Sequence, residues 1–374
     1  MAMTPKTLSF SGSRLEEMKK GNKVPKKVLE ELRSQADKHL DSPVIAVVYR
    51  NVKAPSGNPH DYSSLGTYWW PNPDTEDGLP YIRRDGLENP VISKDVKFVT
   101  LVEMIRELTL AAYYFEEKKY ADKAVRMIYD WFLNPETYMT PHASYAQAIP
   151  GMCDGRGIGI IDFQNSYSLF DSVAILEALG WISDDTVSGL KAWYSEFVDW
   201  LLTSENGLDE DMQLNNHGIW YDVLVLSSAM FTGRKMLADK ICLTAYDRRL
   251  KPQVMADGSQ PLELARTMGI VYSSYNALSM SVLANIAYAN GYKNYWEDDA
   301  DYGHGLIKST VDFLYPYIIN PESFPYEEIN IPAAKYRLSE IMLLIGQRYP
   351  GEGYCERAEA LMERLSTSLA QPLV

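Results

Sequence analysis

Apolar positions recur at three- and four-residue spacing through most of the chain after residue 95. Phe98, Leu101, Val102, Ile105, Leu108 and Ala112 form one stripe, a spacing that gathers them on one helix face. Ala121, Ala124, Val125, Ile128 and Phe132 form a second, which Asn134-Pro135 stops. Val187, Leu190, Trp193, Tyr194, Phe197 and Leu201 form a third. The same period predicts helices near 166–180, 218–231, 236–246, 261–268, 273–290, 303–317, 333–348 and 354–369. Many end at a glycine or asparagine, as at Gly180, Gly233 and Gly291, where a left-handed cap carries no Cβ penalty. No two-residue hairpin turn separates alternating strands. Short loops between such helices predict stacked helical hairpins, and no fixed-period repeat marks a short solenoid. The expected fold is all-α: an (α/α) toroid or barrel of about six to seven hairpins with long loops at the active site, in one domain spanning 1–374.

Residues 51–95 break this pattern. They are rich in Pro, Gly, Asn, Asp and aromatics and lack a helical period. A loop of that length inside a compact chain is usually functional, so this segment is the expected substrate-binding region.

Composition narrows the function classes. The chain has 374 residues, of which 46% are hydrophobic and 23% charged, as in ordinary globular proteins. A net charge of −14 argues against a nucleic-acid partner. It also repels a polyanion at long range, so an acidic ligand would need locally gathered cations. Cys153, Cys242 and Cys355 show no metal or redox spacing and read as small apolar side chains. No apolar run is long enough to span a membrane, and the first ten residues show no signal-peptide core. The expectation is either a cytoplasmic protein or one whose leader is absent from this sequence. The expectation here is a monomer, periplasmic or secreted, with no cofactor.

Four clusters carry candidate chemistry. Asn215-Asn216-His217-Gly218 with Trp220 and Tyr221 sits at a loop-to-helix junction. Either asparagine can cap the helix. Alternatively Asn216 and His217 line a pocket where the helix N-terminus favours an anion and His217 moves a proton. Glu263-Leu264-Ala265-Arg266-Thr267 precedes Tyr272-Ser273-Ser274-Tyr275. A break near Gly269 would let Arg266 and Tyr272 share one pocket. Arg266 would then pair with a carboxylate through its fork and lower the pKa of the neighbouring phenol. The bland alternative is a surface arginine beside a structural tyrosine, one of 26 in the chain.

The third cluster runs from Asp61 through Tyr68-Trp69-Trp70-Pro71 to Arg83-Arg84. It reads equally as a sugar-stacking platform with carboxylate-pairing arginines or as a local hydrophobic plug. The fourth, Gly155-Arg156-Gly157-Ile158-Gly159, has dinucleotide-like glycine spacing. It lacks the preceding strand and βαβ unit that such a loop needs. Arg156 instead reads as a cation delivered close to a ligand. The five histidines show no zinc-site spacing, no acidic loop resembles a calcium site, and no nucleophile elbow is present.

Taken together, Asp-Tyr-Ser-Ser, Tyr-Trp-Trp-Pro-Asn-Pro, Pro-Tyr-Ile-Arg-Arg-Asp-Gly, Gly-Arg-Gly-Ile-Gly-Ile-Ile-Asp, Asn-Asn-His-Gly and Glu-Leu-Ala-Arg-Thr…Tyr-Ser resemble the alginate-lyase superfamily with a helical toroid. Among its groups the resemblance is closest to polysaccharide lyase family 38. It covers residues 60 to 276, and it implies β-elimination on alginate or a related polyuronate without a metal. By that resemblance Asn216, His217 and Arg266 match the family's Asn-His pair and arginine, and Tyr272 its catalytic tyrosine. Tyr272 stands six residues after Arg266 and Tyr275 nine, and some alginate-lyase families place the tyrosine one residue beyond Tyr272. Tyr272 is preferred because the Tyr-Ser pair matches the broader superfamily. Substrate binding would fall to Tyr68, Trp69, Trp70, Arg83, Arg156 and Tyr275.

β-Elimination also suits these residue types. Neutralising a uronate carboxylate stabilises the enolate-like intermediate that forms when the C5 proton leaves. A base must reach C5 and an acid the glycosidic oxygen. Competing readings are a glucuronan lyase, a glycoside hydrolase on a similar toroid using carboxylates such as Asp162, Asp222 and Glu263, and a carbohydrate-binding scaffold built on Trp69-Trp70.

Overall fold

The computed structural model describes residues 3–90, 95 and 97–361. The described chain divides into two compact units: residues up to 212 with Leu224–Ala238, and Gln213–Val223 with residues from 239 onward.

In the first unit, helices α1 (Gly12–Lys20), α2 (Lys26–Leu40), α3 (Phe98–Phe115), α4 (Lys118–Phe132), α5 (Ser166–Leu179), α6 (Asp184–Thr203) and α7 (Glu205–Asp211) follow in chain order. α3 packs against α2, α4 and α5, and is apolar on most of its surface for that reason. Phe98, Phe132, Phe163, Trp193 and Phe197 form an aromatic core, with Phe98–Phe163 and Phe132–Trp193 ring centroids both 4.8 Å apart. Sequence signals set the helix ends. Ser183 accepts a hydrogen bond from the Thr186 N–H at the start of α6, with Asp184 and Asp185 in the first turn. Gly180 closes α5 at φ +68°.

α8 (Asn216–Thr232) and α9 (Lys235–Ala245) come next. The second unit then continues through a π-helical turn (Tyr246–Leu250) to α10 (Pro261–Leu264), α11 (Gly269–Ala289), α12 (Leu306–Ile319), α13 (Ile331–Arg348) and α14 (Tyr354–Leu361). α11 packs against α10, α12 and α13. The expected helix over 354–369 is present to Leu361, and 362–369 lie outside the described residues. The expected helix over 261–268 is shorter than predicted: α10 stops at Leu264 and α11 begins at Gly269.

Residues 51–95 hold short strands that the apolar pattern does not reveal. β1 (Ser63–Leu65) pairs in parallel with β4 (Tyr145–Ala148), and β2 (Trp69–Trp70) pairs antiparallel with β3 (Ile82–Arg83). Strands of two or three residues are too short to show alternation. β5 (Asp298–Asp299) and β6 (His304–Gly305) form one more small ladder. Residues 91–94 of the expected loop lie outside the described residues. No described helix is long and apolar enough to cross a membrane.

One buried acid ties down the start of the chain. Asp171, on α5 and 4% exposed, accepts hydrogen bonds from the Leu8 and Ser9 N–H groups and the Ser9 hydroxyl. Burial pushes its pKa up to about 6 against the lowering effect of those bonds. A carboxyl raised on folding stabilises the fold most when protonated, and that contribution is lost as pH rises through the folded value. Measured against Asp171→Asn, wild-type stability to denaturant should therefore fall by about 2 kcal/mol between about pH 4 and pH 8. Parallel pH curves for the two proteins would contradict this.

Candidate active site

α8 opens with Asn216 and His217, and its first N–H groups are satisfied locally. The Asn215 side chain accepts from the His217 N–H at 3.3 Å, so Asn215 acts as the cap. The Asn216 N–H donates to Glu263 Oε1 at 2.8 Å. The carboxylate at this helix end thus belongs to the protein itself. Glu263 also accepts from the Asn216 amide nitrogen at 2.8 and 3.0 Å. A carboxylate only accepts, which fixes the orientation of the Asn216 amide.

Gly218 follows because the chain is crowded there. A Cβ at this position would lie 2.1 Å from the Gln213 carbonyl oxygen and 2.7 Å from an Arg249 nitrogen. Arg249 sits on the π-helical turn, is 3% exposed, and donates to both oxygens of Asp222 at 3.1 Å and to the Gln213 carbonyl at 3.2 Å. It therefore braces the loop leading into Asn215-Asn216-His217.

Glu263 lies on α10 and is 1% exposed. Burial raises its pKa, while Asn216, His217 and Arg266 each pull it down. The break between α10 and α11 brings Arg266 over Tyr272, with the guanidinium carbon 3.9 Å from the ring centroid. Stacking engages the flat face of a guanidinium and leaves the geometry of its N–H edge suited to a carboxylate. The N-terminus of α11 holds another internal acid, Glu328, which accepts from the Ile270 and Val271 N–H groups at 3.0 and 3.1 Å.

The Tyr275 ring lies 5.4 Å from the Trp220 ring and 5.8 Å from the Arg337 guanidinium. Glu263 thus holds Asn216 through its carboxylate and accepts from the Arg266 N–H through its main-chain oxygen at 3.1 Å, and Tyr272 is the tyrosine stacked on Arg266.

His39 meets Glu107 at 2.6 Å, His142 meets Asp61 at 3.2 Å, and His60 and His304 bond main-chain oxygens of Tyr138 and Gly305. These four have structural partners outside the His217 cluster.

The other sequence candidates lie in the first unit. Trp69 and Trp70 are half-buried on β2. Trp70 donates to the Leu87 carbonyl at 2.9 Å, and Arg84 lies over its ring at 5.2 Å, so part of the tryptophan pair does plug the loop. Tyr68 is half-buried beside it, and its carbonyl accepts from the Arg84 N–H at 2.8 Å. Arg83 is exposed and pairs with Asp85 at 2.6 Å. Arg156 is half-buried and donates twice to Gln147, to the main-chain oxygen and to Oε1, each at 3.0 Å. The glycines around it serve packing: a Cβ on Gly155 or Gly159 would lie 2.0 or 2.4 Å from a carbonyl oxygen of the neighbouring strand segment.

The three carboxylates weighed for hydrolysis are all engaged. Asp162 accepts from Tyr62, Ser64 and Gln147 at 2.9, 2.7 and 3.1 Å. Asp222 pairs with Arg248 and Arg249, and Glu263 holds Asn216. Among the described residues no group of three or more His, Cys, Asp or Glu side chains forms a metal-binding cluster.

Sequence reading alone did not identify Glu263 as the holder of Asn216, nor Arg249 and Gln147 as braces. Glu263 stood three residues before Arg266 in the same segment, which is its only sequence signal.

The alginate lyase family model matches residues 49–324, and the chain belongs to that family. An alginate lyase of Bacteroides ovatus has the same fold, with a TM-score of 0.92 and 33% identity over 99% of both chains. This likeness establishes the all-α, (α/α)-toroid class for the chain. Alginate lyase A1-III of Sphingomonas species A1 shares the fold at a TM-score of 0.54 and 14% identity, over 89% of this chain and 95% of its own. An alginate lyase of Pseudomonas syringae pv. tomato is 28% identical over 136 residues, 36% of this chain. The match spans only about a third, 34%, of that curated relative's length.

Proposed function

We propose that the chain is a polysaccharide lyase that cleaves alginate or a related polyuronate by β-elimination, leaving 4,5-unsaturated uronate ends. The observation that carries this is the stack of Arg266 on Tyr272, beside Glu263, whose carboxylate holds Asn216. A cation and a phenol side by side are what a uronate needs: charge for its carboxylate and a proton carrier for its ring.

Arg266, with Asn216 and His217, would neutralise the carboxylate and so acidify C5. Where the C5 hydrogen and the leaving oxygen lie on one side, Tyr272 would remove the proton and return it to the glycosidic oxygen. Where they lie on opposite sides, His217 would be the base and Tyr272 the acid. Tyr68, Trp69, Trp70, Arg83, Arg156 and Tyr275 would bind further sugar units. The whole chain would then act as one catalytic domain, as a monomer, in the periplasm or outside the cell.

A hydrolase reading is weaker, since Asp162, Asp222 and Glu263 are each held by protein donors. The test is an ultraviolet assay over polymannuronate, polyguluronate and polyglucuronate, each beside its carboxyl-reduced counterpart. Rising absorbance is expected on at least one charged polymer and on no reduced one. Chain cutting of the reduced polymers would overturn the proposal.

A further inference from the structure

We propose that Gln147 is a positioning residue that holds Arg156 as a cation without a carboxylate partner, and so sets a preference for charged over neutral sugar units. This rests on the reading of Arg156 as a substrate-binding residue.

Gln147 lies on β4, is 9% exposed, and adopts φ +49°. Few residues other than glycine occupy that left-handed region. There it uses every polar group it has. Its N–H donates to Ser64 Oγ at 2.8 Å, and its amide nitrogen donates to Asp162 Oδ1 at 3.1 Å. Its carbonyl and Oε1 accept from Arg156 Nε and Nη2, each at 3.0 Å. The other Asp162 oxygen is taken by Tyr62 and Ser64.

Asp162 can only accept, so the Gln147 amide must present its nitrogen to Asp162 and its oxygen to Arg156. The guanidinium is thereby gripped along its Nε–Nη2 edge by two uncharged oxygens. Its charge is not cancelled, and the Nη1–Nη2 end keeps the fork geometry that matches a carboxylate. Burial disfavours this charge most and the nearby Arg83 adds to that, while Cys153, Asp162 and Glu210 favour it without outweighing burial. Other arginines contrast with it: Arg126 pairs with Asp130, Arg249 with Asp222 and Arg83 with Asp85.

An aromatic edge lies at the same place. A Cβ on Gly66 would be 2.5 Å from Trp69 Cδ1 and 3.1 Å from Arg156 Nη2, so indole and guanidinium converge over that glycine. A sugar ring against the indole would bring its acid group to the fork. In a chain of net charge −14, a local cation of this kind offsets the long-range repulsion.

Two variants separate side-chain chemistry from backbone strain. Gln147→Glu is nearly isosteric and places a carboxylate on Arg156. Gln147→Gly relaxes the positive φ and removes the amide. The measurements are kcat and KM on polyuronate, Tm, and calorimetric Kd for an oligouronate and for its methyl ester. Gln147→Glu should raise KM and Kd for the charged ligand about tenfold while kcat stays within about twofold. The preference for the acid over the ester should collapse toward one. Gln147→Gly should raise Kd several-fold, and relief of the positive φ offsets part of the stability lost with the amide, so a misfolded Gln147→Glu would not block the test. Unchanged Kd and ester preference in Gln147→Gly, or a loss confined to kcat, would overturn the proposal.

The failures are distinguishable. A wild-type protein that neither cleaves polyuronate nor binds oligouronate removes the functional reading, and this inference with it. If the wild type acts and Arg156→Ala raises KM, but the Gln147 variants do not, only the positioning role is lost.

Discussion

Tyr272→Phe should lower kcat on every polyuronate substrate by about a thousandfold, the scale of a lost proton carrier, while oligouronate Kd changes less than about threefold. The substitution keeps the ring on which Arg266 stacks, 3.9 Å from the centroid, and deletes only the hydroxyl. Binding through Arg266 should survive, so the loss belongs to the chemical step. A matching Tyr275→Phe variant should stay within about fivefold of wild type on this view, because Tyr275 packs with Trp220 and Arg337. Kinetics of both variants with one substrate settle which hydroxyl moves the proton. Near-normal turnover by Tyr272→Phe would remove the assignment.

The second large effect is expected at Glu263. Its ionised carboxylate takes three hydrogen bonds from Asn216. Glu263→Gln replaces one acceptor oxygen with a donor, so the Asn216 amide loses its single enforced orientation. A fall in kcat of about a hundredfold is expected, with the fold intact. Glu263→Ala should add a destabilisation of about 1–3 kcal/mol, since the Asn216 donors would remain buried without a partner. Because burial raises the Glu263 pKa, the form that holds Asn216 is lost at a higher pH than for an ordinary glutamate. Activity should therefore decline as pH falls through that raised value. The never-ionised Glu263→Gln variant should lack this acid limb. A pH–rate series on both proteins checks the point, and an unchanged acid limb in the variant would count against it.

Much of the helical fold was legible because its signals are long. The Phe98–Ala112 stripe became α3, and Gly180, Gly233 and Gly291 mark helix ends with φ of +68°, +78° and +79°. The break proposed near Gly269 is real, and it brings Arg266 to Tyr272. What sequence could not supply were features fixed by tertiary pairing. Two-residue strands such as Trp69–Trp70 carry no period of their own. Gln147 gives no hint of its left-handed backbone, because glutamine is an unusual choice there. The acidic residues were the hardest to sort. Nothing in the local sequence tells Asp222, locked to Arg249, or Glu263, locked to Asn216, from a catalytic acid. Their partners lie 27 and 47 residues away.

Elimination and hydrolysis differ in what each cut leaves behind. Counting new reducing ends and new conjugated double bonds in one digest of the preferred polyuronate separates them most directly. If the carboxylate is neutralised and the C5 proton is taken as Tyr272, His217 and Arg266 suggest, every new reducing end should be matched by one double bond. Reducing ends that accumulate without ultraviolet absorbance would mean that water, not a proton transfer, breaks the chain.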